Sequence, residues 1–77
     1  MKKFKVSIIG YGYCGPKFAR NFQNSSFFKI KFIVDNSRKN LLKGKIDHPL
    51  SKLRSDYKSL KNEKIDLVVI SSPTKSH

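Results

Sequence analysis

The stretch that decides the fold is Val6-Ser7-Ile8-Ile9-Gly10-Tyr11-Gly12-Tyr13-Cys14-Gly15. A short apolar run ends in glycines spaced G-x-G-x-x-G, and a helical pattern follows. In that context each glycine has a mechanical reason to be there. Gly10 lets the chain leave a strand sharply, Gly12 lets a pyrophosphate approach the backbone, and Gly15 lets the helix pack close to the strand. The helix N-terminus would add unpaired N–H groups and a partial positive charge.

Outward from the loop, the chain alternates between two periodicities. Lys5 to Ile9 predicts a first strand, short and apolar enough to be covered on both faces. Cys14, Phe18, Ala19 and Phe22 form one helical stripe, with Pro16 in the first turn, where its missing N–H costs nothing. Asn24-Ser25-Ser26 closes that helix. Phe28 to Val34 predicts a second strand, in which Phe28, Ile30, Phe32 and Val34 make one face fully apolar and Lys29, Lys31 and Ile33 leave the other partly so. Ser37 to Lys43 predicts a short helix, capped by Asn36 or Ser37 and stopped by Gly44.

His48-Pro49 marks a loop with an exposed histidine, and Lys52 to Arg54 predicts a brief edge strand. Asp56 is placed to cap a short helix from Tyr57 to about Asn62, with Tyr57 and Leu60 facing inward. Leu67-Val68-Val69-Ile70, stopped by Ser71-Ser72-Pro73, reads as a central strand of a parallel sheet. The order strand–helix–strand–helix–weak strand–helix–strand predicts an α/β fold. It is a Rossmann-type half-fold: a parallel sheet of three to four strands with right-handed crossover helices.

Composition bounds the partners. The chain has 77 residues and a formal net charge of +12, so one small domain spanning residues 1–77 is expected. A nucleic-acid partner would suit the charge, but the lysines are scattered from residue 2 to residue 75 instead of forming a stripe, which makes that partner a minor alternative. No segment approaches the ~20 apolar residues of a membrane span. A single cysteine allows no internal disulfide and suggests a reducing, cytoplasmic setting. Two histidines and one cysteine show no metal-ligand spacing.

The candidate site lies where the strands end. Gly10, Asp35 and Ser71 each follow a strand, and open α/β sheets bind ligands at that edge. Gly10, Gly12, Tyr13, Cys14 and Gly15 are the expected loop contacts. Cys14 beside a helix N-terminus could be a reactive thiol, but packing beneath the loop is its simpler role. Asp35 stands twenty residues beyond Gly15, where a carboxylate accepts a hydrogen bond from the adenosine 2′-OH and repels a 2′-phosphate. That favours NAD as cofactor, while Arg38 and Lys39 leave NADP as the alternative.

These residues resemble the Gfo/Idh/MocA-type NAD(P)-dependent oxidoreductases. Gly10-Tyr11-Gly12-Tyr13-Cys14-Gly15-Pro16 with Ala19-Arg20-Asn21-Phe22 is similar to the nucleotide loop of a subgroup associated with nucleotide-sugar oxidation. Asp56-Tyr57, Leu60, and Ile65 through Thr74 with His77 resemble the segment that crosses to the nicotinamide side. The resemblance implies an NAD(P)-binding Rossmann domain of an oxidoreductase acting on a sugar or sugar-nucleotide CH–OH group. It implies roles for Ser71, Ser72, Pro73 and Thr74 on the nicotinamide-ribose or adenine side.

In that family the catalytic lysine sits in a Glu-Lys-Pro motif, and a substrate domain follows. Neither matches a position of this sequence, so no catalytic residue is expected here. The chain is expected to be the incomplete N-terminal part of such an enzyme, inactive alone. Two other readings stand beside it: a stand-alone nucleotide-binding or redox-sensing module, and a small basic nucleic-acid-binding protein. A half-sheet of this size also predicts exposed apolar surface and self-association.

Overall fold

The computed structural model describes residues 2–71. Seven elements follow in order: β1 (Phe4–Ile9), α1 (Gly15–Gln23), β2 (Phe28–Val34), α2 (Arg38–Asp47), β3 (Lys52–Arg54), a 3₁₀ turn (Tyr57–Leu60) and β4 (Leu67–Ile70). The four strands form one sheet in the order β3-β2-β1-β4. Every pairing is parallel. This is the expected Rossmann-type half-fold, with β1 between the two directions in which the chain winds.

Local chemistry explains the boundaries. Pro16 lies in the first turn of α1, and the Cys14 cap position offers no side-chain hydrogen bond. At α2 the Ser37 side chain accepts from the Asn40 N–H at 3.3 Å. Asp66 sets the entry of β4: its carboxylate accepts from the Lys5 N–H at 2.7 Å, and its own N–H donates to the Lys5 carbonyl at 2.9 Å.

Strand β2 departs from strict alternation. Val6 pairs with Ile30, but Ser7 pairs with Phe32, so Lys31 is an extra residue in the ladder. A bulge of one residue flips the side-chain parity beyond it. Ile30 and Ile33 therefore share one face of the sheet with Val6, Ile8, Tyr11 and Ala19. Phe32 and Val34 turn to the opposite face and pack with Leu60, Ile9 and Ile65. The apolar set expected on one face is instead divided between both faces, with Ile30 and Ile33 buried on one and Phe32 and Val34 on the other.

Helix α2 does not stop at Gly44; it continues to Asp47. Gly44 is a packing glycine. A Cβ there would meet Ile33 Cδ1 at 2.9 Å, so the missing side chain lets α2 lie close on β2. His48 is buried rather than exposed, edge-on to the Tyr11 ring with centroids 6.2 Å apart. Its carbonyl accepts from the Ser51 hydroxyl at 2.7 Å, which tucks the loop beneath the helix end.

Strand β4 is the outer strand, not a central one. Leu67, Val68 and Ile70 are exposed, and Ile70 retains 70% of its accessible surface. Tyr57 is also exposed, whereas Leu60 packs under the sheet as expected. None of the described helices is long and apolar enough to cross a membrane.

Candidate functional site

The carboxyl ends of all four strands open on one cleft of about 700 Å³. Ile9 and Gly10 reach it from β1, Val34 and Asp35 from β2, Ser55 from β3, and Ile70 and Ser71 from β4. Gly12 and Tyr13 of the glycine loop, Ser37 and Asn40 at the β2–α2 corner, and Asp56 and Tyr57 after β3 also line it. A cleft of this size suits a small-molecule cofactor.

The glycine loop is shaped by close approach. Gly10 has φ +96°, a left-handed conformation that side-chain-bearing residues avoid, and a Cβ on it would overlap the Ser71 carbonyl oxygen. A Cβ on Gly15 would overlap the Gly10 carbonyl oxygen, so α1 starts in contact with the turn it follows. Gly12 faces the Asn40 amide, which would stand 3.2 Å from an added Cβ. Bare backbone at Gly12 thus leaves space between the loop and α2.

Main-chain donors in the loop divide into two sets. The Gly10 N–H donates to the Val34 carbonyl at 2.7 Å, and the Tyr11 N–H to Asp35 Oδ2 at 2.8 Å. The N–H groups of residues 12–15 have no acceptor among the described residues. They stand at the uncapped start of α1, where the helix dipole favours an anion. No lysine or arginine among the described residues lines the cleft, in a chain of net charge +12. A phosphate group here would be met by backbone, not by side-chain cations.

Asp35 is held in place by the chain itself. Its Oδ1 accepts from the Ser37 N–H at 2.8 Å, and its Oδ2 accepts from the Tyr11 N–H and, at 3.1 Å, from the Asn40 side-chain amide. An ionised carboxylate offers about four acceptor positions, so three bonds leave room for a further donor such as a ribose hydroxyl. Both oxygens are fixed before any ligand arrives.

Behind the loop, Tyr11 is fully buried, and its hydroxyl donates to Asp47 Oδ2 at 2.6 Å. Burial and the bonded Asp47 carboxylate push the Tyr11 pKa well above the ordinary phenolic value, so the hydroxyl stays protonated and donating. Burial also lowers the His48 pKa, partly opposed by the neighbouring Asp47 charge.

Of the residues singled out in the sequence, Gly10, Gly12, Tyr13, Asp35 and Ser71 line the cleft. Gly15 is buried beneath the loop and Cys14 is half-buried, both outside the lining. Arg38 is exposed on the first turn of α2 and does not line the cleft. Ser72, Pro73, Thr74 and His77 lie outside the described residues. Sequence reasoning missed Asn40 and the cleft-facing role of Tyr57. Asn40 had one weak signal: it stands three residues after the Ser37 cap, in the turn that faces the glycine loop.

The donor set and the shape fit a dinucleotide, and comparison with known proteins agrees. Residues 4–77 match the family described as "Oxidoreductase family, NAD-binding Rossmann fold". Among solved structures, myo-inositol 2-dehydrogenase from Lactobacillus plantarum is 27% identical with a TM-score of 0.83, over 95% of this chain and 22% of that one. The scyllo-inositol dehydrogenase from Lactobacillus casei, solved with bound NAD(H) and scyllo-inositol, is 24% identical with a TM-score of 0.82. That match covers 99% of this chain and 23% of the other.

The WlbA dehydrogenase from Bordetella pertussis, in complex with NADH and UDP-GlcNAcA, shares the fold at 15% identity and a TM-score of 0.83, over 94% of this chain and 22% of that one. A search of curated protein sequences finds no significant match. The chain spans less than a quarter of the length of these solved relatives.

Proposed function

The chain belongs to the Gfo/Idh/MocA oxidoreductase family, with its NAD-binding Rossmann fold, and from that premise we propose a cofactor-holding role for named residues. The N–H groups of residues 12–15 take the pyrophosphate of NAD, and Asp35 takes the adenosine ribose. The observation that carries this reading is their convergence on one cleft at the carboxyl ends of the strands. Gly10 and Gly15 serve by letting the loop close on Ser71 and on α1, and Tyr13 and Cys14 by placing their N–H groups at the helix start. Ser71, Ser72, Pro73 and Thr74 are assigned to the nicotinamide-ribose or adenine side.

Bound NAD supplies a hydride acceptor at its nicotinamide. The chain's own residues bind and orient it. No lysine among the described residues lines the cleft, and the reading assigns no catalytic residue to this chain. The substrate class proposed for the enzyme as a whole is a sugar, sugar-nucleotide or related polyol CH–OH group. Support comes from relatives solved with scyllo-inositol and with UDP-GlcNAcA.

NAD is preferred over NADP because Asp35 faces the cleft while Arg38 does not line it. A 2′-phosphate would bring negative charge against a carboxylate, with no lysine or arginine among the described residues lining the cleft. Calorimetric titration tests this: NADH is expected to bind at least about tenfold more tightly than NADPH, a difference of about 1.4 kcal/mol. Asp35→Ser is expected to erase that preference. Equal affinity for both cofactors in the unmodified chain would overturn the assignment.

A further inference from the structure

Tyr11 sits at the first x of the glycine motif, between two glycines, and is the one non-glycine side chain of the loop that is fully buried. Its ring is held between the helices: a Cβ placed at Gly15 of α1 or at Gly44 of α2 would lie 3.6 Å from it on either side. Both helices lack a side chain where the ring passes. At the far end, the hydroxyl reaches Asp47, the last residue of α2.

Asp47 is in the wrong place for helix stability. A carboxylate at a helix C-terminus faces the negative end of the dipole. A residue that breaks a local rule points to a compensating use elsewhere. Here the compensation is a short, charge-assisted hydrogen bond of 2.6 Å from a hydroxyl that burial would otherwise leave unsatisfied.

The contacts close into a ring. The Tyr11 main chain holds Asp35, and Asp35 is also held by Ser37 and Asn40 at the start of α2. Helix α2 then runs to Asp47, which holds the Tyr11 side chain. One residue therefore fastens the glycine loop to both ends of α2.

We propose that Tyr11 is a positioning residue for the cofactor cleft, whose hydroxyl bond to Asp47 locks the glycine loop onto α2 and fixes Asp35 and the N–H groups of residues 12–15 in advance of NAD. This rests on the NAD reading above. Its effect is preorganisation: a glycine loop ordered beforehand loses less freedom on binding.

The test uses the whole chain with Tyr11→Phe, Asp47→Ala, Asp47→Asn and the double variant Tyr11→Phe/Asp47→Ala. Two readouts are taken: NADH affinity, and amide hydrogen exchange of the cofactor-free protein. Tyr11→Phe and Asp47→Ala are each expected to weaken NADH binding by about tenfold, the scale of one lost charged hydrogen bond. The double variant is expected to lose no more than either single change, and Asp47→Asn, which still accepts from the hydroxyl, to recover most of the affinity. Exchange is expected to rise about tenfold at the amides of residues 11 and 37, which Asp35 holds, and to stay unchanged at Ile8 and Ile33.

A role confined to overall stability would instead speed exchange throughout and leave the affinity of the folded fraction intact, and that result overturns the proposal. So does additive loss in the double variant, or wild-type exchange and affinity in Asp47→Ala. Asp47 is on the exposed surface, so its variants decide the matter should Tyr11→Phe fail to fold. If the unmodified chain binds no NADH, the cofactor reading fails, and the exchange pattern alone still judges the Tyr11–Asp47 lock.

Discussion

Strand β1 has an apolar neighbour on each side, and the two neighbours have opposite fates. On one side β2 buries Ile30, Phe32, Ile33 and Val34. On the other, β4 pairs in register with β1 yet leaves Leu67, Val68 and Ile70 exposed. The backbone ladder is satisfied in both cases. What differs is cover: α1, α2 and Tyr11 lie over one half of the sheet, and Leu60 and Ile65 lie beneath β1 and β2. Pairing places a strand, but only packing on its faces removes its side chains from water.

The same contrast runs through the cleft. Its β1–β2 half is finished: Asp35 is clamped from three directions, and the loop is locked behind by Tyr11. Its β4 half is contributed by Ile70 and Ser71 at the rim of an exposed strand. The adenosine side of the proposed NAD site therefore has fixed polar groups in place, and the β4 side contributes Ile70 and Ser71.

Substitutions on the two sides should give unequal results. Ile33→Ala empties a fully buried position against Gly44 and is expected to destabilise the chain by about 3 kcal/mol in urea unfolding. A loss below about 1 kcal/mol would mean that the α2-covered face is not the stable half.

A smaller effect is expected from pH, again on the covered side. Folding lowers the His48 pKa below its ordinary 6.5, so the unfolded chain takes up the proton first as pH falls. Stability is therefore full above about pH 6.5 and declines as the pH drops from that value through the lower folded-state pKa. Melting temperatures between about pH 7.5 and 5.5 measure it. His48→Gln is expected to flatten the decline, and an unchanged slope in that variant would assign it to other groups. Least of all is expected from Ile70→Thr, which changes a side chain already in water and should alter stability by no more than about 0.5 kcal/mol.

The order of elements was legible because strand and helix periods are local. Phe28 to Val34 was bounded by its own composition, and Ser37 declared its cap. The failures came from contacts between distant residues. Lys31 looks like any alternating lysine, and only the pairing of Val6 with Ile30 and Ser7 with Phe32 shows it to be the extra residue. Gly44 carries the signature of a helix stop, and the need to lie against Ile33 overrides it. His48 beside a proline reads as a loop residue in water, but the Tyr11 ring covers it.

The candidate site divides in the same way. Gly10, Gly12 and Asp35 could be found because a turn, a close approach and a strand end each leave a local mark. Asn40 and Asp47 could not, because their use depends on where α2 lies. Arg38 was legible as a cation near Asp35 in sequence, but its place on the first turn of α2 leaves it outside the cleft lining.

The most direct test of the cofactor site is a titration with NADH followed by the backbone amide signals of every residue. The account predicts changes concentrated at residues 10–15, 35–40, 55–57 and 71, with the amides of residues 12–15 shifting furthest as their N–H groups gain an acceptor. Saturable changes centred elsewhere, such as along the β4 edge, or none at millimolar NADH in a folded sample, would contradict it.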